Sequence, residues 1–398
     1  MSPRSWNPSL RVCFSRKLFC LVAALVTAAC EKATPPVAAK PPEPPAEITV
    51  PRSREADDLA RFFAGLPGRS GSSFTEFEQS AAFKAHAQEF DAYWKGFERA
   101  RLPEMTDFRT AELAKAPFET AKVFYPFGGP DALTVVTFYP KSRSYILVGQ
   151  EPPGTLPERK LFKAEKLGML LPQLRITMKS LLGLSFFVTR EMDRQFRGQV
   201  TDGLLPPILL QLARTGHRIL GVEYIAIDDD GVVVKRPPME KTLNRGIVIE
   251  FEPESGGEAK RLYYYSLNLA NEKFGDNKPF LAYMEKSKPV LTYFKATSYM
   301  PHDANFTIIC EKVLANSIAV VQDDSGIPFK QYDPQMWALN LYGSYDRPFR
   351  PFHFRIQEDL RKAFKAGQNV KPLKMRIGYG FGKIPSNLLV AVKKPTQS

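Results

Sequence analysis

Seven prolines fall between residues 31 and 51: Pro35, Pro36, Pro41, Pro42, Pro44, Pro45 and Pro51, set among Ala, Lys and Glu. Such a stretch offers no side chains for a core. It favours extended polyproline geometry at ~3.1 Å per residue, a reach of roughly 60 Å. Folding is therefore confined to the residues beyond this stretch. The chain before it has its own pattern. Arg4, Arg11, Arg16 and Lys17 precede an apolar run over residues 18–29, which leaves through Thr27-Ala28-Ala29 to Cys30. Positive start, apolar middle and small-residue exit are the three parts of a secretory signal. Twelve residues fall short of the ~20 that a spanning helix needs.

The segment Val26-Thr27-Ala28-Ala29-Cys30 resembles a bacterial lipoprotein signal. The resemblance implies cleavage before Cys30 and acylation of its thiol, so that Cys30 is the lipidation site and N-terminal acyl chains hold the protein on a bilayer. Thr27 stands where such signals usually carry Leu; Leu25 lies two residues upstream. Glu31, not Asp, follows the Cys, and by the same resemblance this places the protein at the outer membrane, facing the periplasm. The other reading is an ordinary signal peptide with an incidental Cys30. The expected organisation is a signal over 1–29, a lipidated Cys and tether over 30–52, a flexible Gly/Ser-rich segment over 53–74, and a globular region over 75–398 with sub-lobes 75–215 and 216–398.

Composition narrows the class. An apolar content of 44% with 24% charged residues is that of a globular chain. Without the signal, 51 basic residues stand against 42 acidic ones, a charge of +9. That charge suits anionic lipid or an envelope polymer or protein as partner, or is simply solubilising. No basic block or aromatic platform points to nucleic acid. With Cys13 and Cys20 in the signal and Cys30 acylated, Cys310 is alone, which excludes an internal disulfide in the folded part. Its neighbours Thr307-Ile308-Ile309 suggest a buried, inert thiol.

Hydrophobic period places the elements. Phe83, Phe90, Trp94 and Phe97 form an aromatic stripe on one helix face, read as core. Short apolar runs at 123–125, 133–138 and 145–148 read as strands or a strand–helix–strand unit. Helices come next near 160–170, 173–183 and 203–215, the last with Thr201 or Asp202 as candidate cap. Residues 219–227 and 232–235 flank Asp228-Asp229-Asp230-Gly231, a hairpin signal rather than a calcium loop. A second hairpin spans 246–252 and 260–267. Helices near 279–286 and 303–314 precede apolar strands at 290–295 and 318–321. Ile356, Leu360, Ala363 and Phe364 mark an amphipathic helix, and 375–377 and 388–392 read as strands. The fold class is α/β or α+β, with mixed sheets flanked by helices.

No HExxH, GxSxG, Walker loop or paired CxxC is present, so no cofactor or metal is expected. His86, His217, His302 and His353 lie far apart in sequence. Gly378-Tyr379-Gly380-Phe381-Gly382 lacks the spacing of a nucleotide loop and reads as a bend. Two segments share one pattern: an apolar strand, a Gln, a carboxylate and a Gly/Pro turn. They are Ser144 to Gly149 with Gln150-Glu151-Pro152-Pro153-Gly154, and Ser317 to Val321 with Gln322-Asp323-Asp324-Ser325-Gly326-Ile327-Pro328. Each follows an Asp-Ala pair, Asp131-Ala132 or Asp303-Ala304. Diverged duplication or chance similarity explains the match. Ligands bind beyond the carboxyl ends of strands in open α/β sheets, so Glu151, Asp323 and Asp324 are candidates for one cleft, with His302 as helper. The competing reading makes these carboxylates turn caps. Pro126-Phe127-Gly128-Gly129-Pro130-Asp131 reads as an anion-binding helix start or a plain turn.

The motifs at 126–131, 149–154 and 322–328 together resemble landmarks of a group of bacterial envelope proteins without an established activity. The resemblance covers most of residues 75–392 and implies no catalytic assignment. The expected function is a tethered envelope module that binds a ligand or partner or supports envelope structure; the rival is an envelope hydrolase using paired carboxylates.

Overall fold

In the computed structural model the residues described are 48–115, 117–185, 203–238, 240, 243–380 and 385–395. Eleven strands form a single mixed sheet among them: β1 Lys122–Tyr125, β2 Ser144–Gly149, β3 His217–Ile227, β4 Val233–Lys235, β5 Gly246–Pro253, β6 Lys260–Ser266, β7 Val290–Phe294, β8 Ser317–Gln322, β9 Trp337–Gly343, β10 Val370–Lys371 and β11 Asn387–Lys393. Their order across the sheet is β10-β9-β11-β8-β7-β1-β2-β6-β5-β3-β4. The central five, β8-β7-β1-β2-β6, are parallel, with Val123 opposite Tyr145 on one side and Leu291 on the other. Antiparallel strands extend both edges. The α/β or α+β class expected from the sequence, with a mixed sheet flanked by helices, is thus present.

Parallel strands buried on both faces read as continuous apolar runs, and these do. Alternation then assigns each residue to a face. Tyr125, Tyr145, Leu147, Leu291, Tyr293 and Val321 point into a core shared with helices α1 Arg54–Phe63, α2 Ala81–Ala100, α3 Leu102–Phe108, α4 Ala132–Phe138, α5 Ala164–Leu184 and α6 Leu205–Arg214. Phe124, Ile146, Val148, Phe294 and Val320 point to the opposite core, covered by α7 Lys278–Ser287, α8 Thr307–Asn316 and α9 Glu358–Ala366. In chain order the five parallel strands lie 3-2-1-4-5. The chain leaves β1 through α4 onto the first face and leaves β7 through α8 onto the second. The boundary between β1 and β7 is therefore a topological switch point.

Several expectations need correction. Residues 46–398 form one compact unit, and β1 and β2 sit between β7 and β6, so the stretches 75–215 and 216–398 are interleaved in one sheet and not separate sub-lobes. The tether expected over 30–52 enters the fold at its end, where Val50 is buried in the core, and the segment 53–74 is not a loose, flexible stretch. Ser53 caps α1 through Ala56 N, and Leu59, Phe62, Phe63 and Phe74 are fully buried. Asp57 takes the Arg69 guanidinium at 2.6 Å and the Ile219 amide at 2.9 Å, while Asp58 accepts from Ser73 N. The glycines there are turns within packed structure. The two helices expected over 160–183 are one, with Pro172 inside it. Leu205–Arg214 takes Leu204 as its cap position, and Thr201 and Asp202 lie outside the described residues. Met375 and Ile377 are buried but not in a strand.

Other readings match the structure. The aromatic stripe is core, joined by His86, whose Nε2 meets Phe63 O at 2.8 Å. Asp228 closes its hairpin by accepting from Asp230 N and Val232 N. Cys310 is buried, and burial pushes its thiol up to about 12.

Candidate functional site

The chain ends of β1, β7 and β8 converge at the switch point, and each contributes an ionisable group. Asp131 closes the turn after β1. Its Oδ1 accepts from Thr134 N at 3.2 Å and from Thr134 Oγ1 at 2.9 Å, capping α4. Its Oδ2 accepts from Tyr125 OH at 3.2 Å and lies 2.6 Å from Lys295 Nζ. Lys295 is the first residue after β7; its ammonium also donates to Thr134 Oγ1 at 2.8 Å. The two side chains are 2% and 3% exposed, so the ion pair is sealed from water. Burial pulls the Lys295 pKa down and Asp131 opposes it. A doubly wound sheet takes its anionic ligand at this position. Here Asp131 itself occupies the helix start and Lys295 neutralises it. A cavity of about 10 Å³ lies beside them, between Phe97, Arg101, Ser185 and Ile377, the room of one water.

Asp323 and Asp324 follow β8. Asp323 Oδ1 accepts from Ser325 N at 3.0 Å and Ser325 Oγ at 2.5 Å; Oδ2 accepts from Ala296 N at 2.8 Å. Gly378 makes that fit possible: a Cβ there would lie 2.1 Å from Asp323 Oδ2, on a backbone with φ +57°. Asp324 Oδ2 accepts from Tyr299 OH at 2.5 Å, and Oδ1 from Asn387 Nδ2 at 3.0 Å. Its carbonyl accepts from Gln357 Nε2 at 2.8 Å. Tyr299 is held by stacking on Tyr379 at 5.8 Å, which in turn stacks on Phe349 at 4.8 Å. Burial and the neighbouring Asp323 charge raise Asp324 to about 7, and burial raises Asp323 as well. Two buried carboxyls in sequence thus hold on to a proton near neutrality.

The loop that joins Lys295 to Tyr299 is strained. Ala296, Ser298 and Tyr299 have φ of 50°, 55° and 54°, left-handed values that cost a residue with a Cβ ~1 kcal/mol or more. Ala296 N on Asp323, Thr297 N on Ser325 Oγ and Ser298 N on Tyr379 OH hold it there. Phe127, in the turn after β1, is also left-handed at φ 60°.

The other candidates stand apart from this cluster. Glu151 follows β2, three strand positions from β8. At ~4.8 Å per strand the two strand ends are about 14 Å apart. The Glu151 carbonyl accepts from Tyr264 OH at 2.7 Å, and the residue is half-buried. His302 packs edge-on against Tyr299 at 5.1 Å, next to Asp324's partner and not on the carboxyl itself. Burial and Arg355 lower its pKa to about 4, so it is neutral at pH 7. Arg355 donates to His302 O at 3.0 Å and to Asp303 at 2.8 Å.

Sequence reasoning passed over Lys295, Tyr299 and Asn387. The signal for Lys295 was a single cation ending an otherwise apolar strand. The recurring Gln-carboxylate pattern falls at equivalent places: each ends the second strand of a β–α–β unit, β1–α4–β2 on one side of the switch and β7–α8–β8 on the other. No group of three or more His, Cys, Asp or Glu suited to a metal ion occurs among the described residues. No family model matches the chain, and neither a curated protein nor a solved structure is significantly similar to it.

Proposed function

We propose that this chain is a lipid-anchored module of the bacterial envelope that binds a ligand or partner, and that its acidic cluster holds the fold instead of running a reaction. The observation that carries the non-catalytic part is the saturation of both aspartates. All four carboxylate oxygens of Asp323 and Asp324 accept from donors of the protein itself, and a cavity lined by both aspartates measures about 10 Å³. A catalytic carboxyl has to reach a substrate proton within hydrogen-bond distance, and these reach only protein. The anchored part rests on the signal, Cys30 and the proline tether, with acyl chains in the outer membrane and the globule facing the periplasm. No described helix is long and apolar enough to cross a membrane.

The hydrolase alternative with Glu151, Asp323, Asp324 and His302 gains one observation, the proton that Asp324 keeps to about pH 7. One pair of measurements separates the readings. Cell fractionation is expected to find the wild-type chain with the outer membrane and a Cys30→Ser variant in the soluble periplasm; unchanged membrane association of that variant counts against acylation. Purified wild type and Asp324→Asn are expected to leave purified wall polymer equally intact. Soluble fragments released by wild type alone would overturn the non-catalytic reading.

A further inference from the structure

We infer that a second, apolar cavity on the α3 side of the sheet takes the acyl chain of an anionic amphiphile. The cavity has a volume of about 150 Å³ and lies between the end of α3, the turn that succeeds it, and the loop joining α4 to β2. Its inner wall is Leu113, Phe118, Phe138 and Pro140; Arg109 and Lys141 belong to the same lining. Leu113 and Phe118 are 2% exposed, so the floor of the cavity is continuous with the core. A volume of this size has room for a benzene-sized body, which corresponds to about six carbons of a chain.

The backbone shapes the cavity. Residues Arg109–Leu113 form a π turn. Such turns are rare, insert an extra residue into a helix, and recur at functional sites. This one turns Leu113 into the cavity while Thr110 and Ala114 stay exposed beside it. Tyr139 also lines the cavity, and its buried hydroxyl has no hydrogen-bond partner.

Charge decides the class of ligand. Arg109, Lys141 and the carboxylate Glu119 share the lining. Lys141 is paired with Glu119 at 2.5 Å. Arg109 makes no ion pair among the described residues and reaches only the Thr137 carbonyl, at 3.4 Å. A cation beside an apolar cavity complements an amphiphile with a carboxylate or phosphate head. A free fatty acid and a phospholipid share that chemistry. Such an amphiphile would be the ligand of the proposed binding module, so its assignment rests on that reading. The cavity shares no lining residue with the acidic cluster or the tether, so each fails separately.

The test is calorimetric titration of the full chain carrying Cys30→Ser with decanoate, decanol and a lysophosphatidylglycerol. Saturable one-to-one binding of decanoate is expected below its micellar range. Ala114→Trp, which fills the mouth from an exposed position, is expected to weaken it at least tenfold; Thr110→Trp does the same from the other side should the first variant lose its fold by circular dichroism. Arg109→Gln is expected to weaken decanoate about tenfold and leave decanol unchanged. Tighter binding of the lysophospholipid than of decanoate identifies the source as membrane lipid, and the reverse identifies free fatty acid. No saturation, or equal binding by a folded blocking variant, overturns the inference. Loss of the tether in cells with decanoate binding intact would fault the anchor alone.

Discussion

Two buried acidic sites lie on either side of the same switch point, and they are stabilised by opposite means. Asp131 is paired with an ammonium 2.6 Å away. Asp324, two strands over, meets only neutral donors among the described residues, Tyr299 and Asn387, with a second carboxyl beside it. The first site is a charge-compensated pair, and the second keeps a proton until about pH 7. One end of the central strands thus holds a charge-compensated plug and a proton-dependent latch side by side. The plug depends on who the partner is; the latch depends on the solution.

Breaking the plug gives the largest expected effect. Lys295→Met leaves Asp131 buried and unpaired, at a cost of ~3–5 kcal/mol by urea denaturation. Adding Asp131→Asn to Lys295→Met removes the orphaned charge and is expected to recover more than half of the loss. A double variant no better than the single one would show that the pair is not the unit of stability. Gly378→Ala strikes the second site next. The added Cβ meets Asp323 Oδ2 at 2.1 Å on a left-handed backbone, and a cost of ~2–4 kcal/mol is expected, read as a lower urea midpoint at constant slope.

The latch is sharpened by pH. A carboxyl whose folded pKa is raised binds more protons folded than unfolded, so its contribution falls as pH rises from about 4 to about 7 and is flat above. His86, His217 and His302 act in the opposite sense. Each is lowered to about 4, so stability from them grows between about pH 4 and 6.5. The difference between wild type and Asp324→Asn isolates the carboxyl. The variant is expected to gain on wild type as pH is raised from 4 to 7, in thermal melts at matched ionic strength. A difference independent of pH would sink the latch.

Local pattern made much of this legible. The Asp228-Asp229-Asp230-Gly231 hairpin, the aromatic stripe of α2 and most strands are governed by neighbours in sequence, and period or turn chemistry reveals them. The Asp323-Asp324-Ser325-Gly326 turn was also readable as a self-capping turn, and Ser325 does bind Asp323. The features that stayed hidden depend on strand order. Nothing near Val290 to Lys295 says that β7 lies beside β1, so nothing says that Lys295 meets Asp131, 164 positions earlier. The segment 53–74 misled for the same reason. Its glycines and serines speak for mobility locally, whereas Asp57 is fixed by Ile219, far along the chain. Strand β9 escaped notice because its partner β11 arrives only at the end of the chain.

The smallest expected effect tests the boundary of the cluster. Glu151 repeats Asp323 in the sequence pattern, and the fold places both after the second strand of a β–α–β unit. If pattern alone conferred a role, neutralising either would matter alike. The geometry separates them: Asp323 is 3% exposed with three protein donors, while Glu151 is half-buried about 14 Å of sheet away. A half-buried carboxylate that holds the chain by its carbonyl keeps that bond to Tyr264 when the side chain becomes an amide. Glu151→Gln is therefore expected to change stability by less than ~0.5 kcal/mol, whereas Asp323→Asn turns one of its three acceptor contacts against a donor and is expected to cost ~1–3 kcal/mol. Equal losses from the two substitutions, measured by urea denaturation, would mean that the paired motifs act together across the switch point and that the cluster extends to β2.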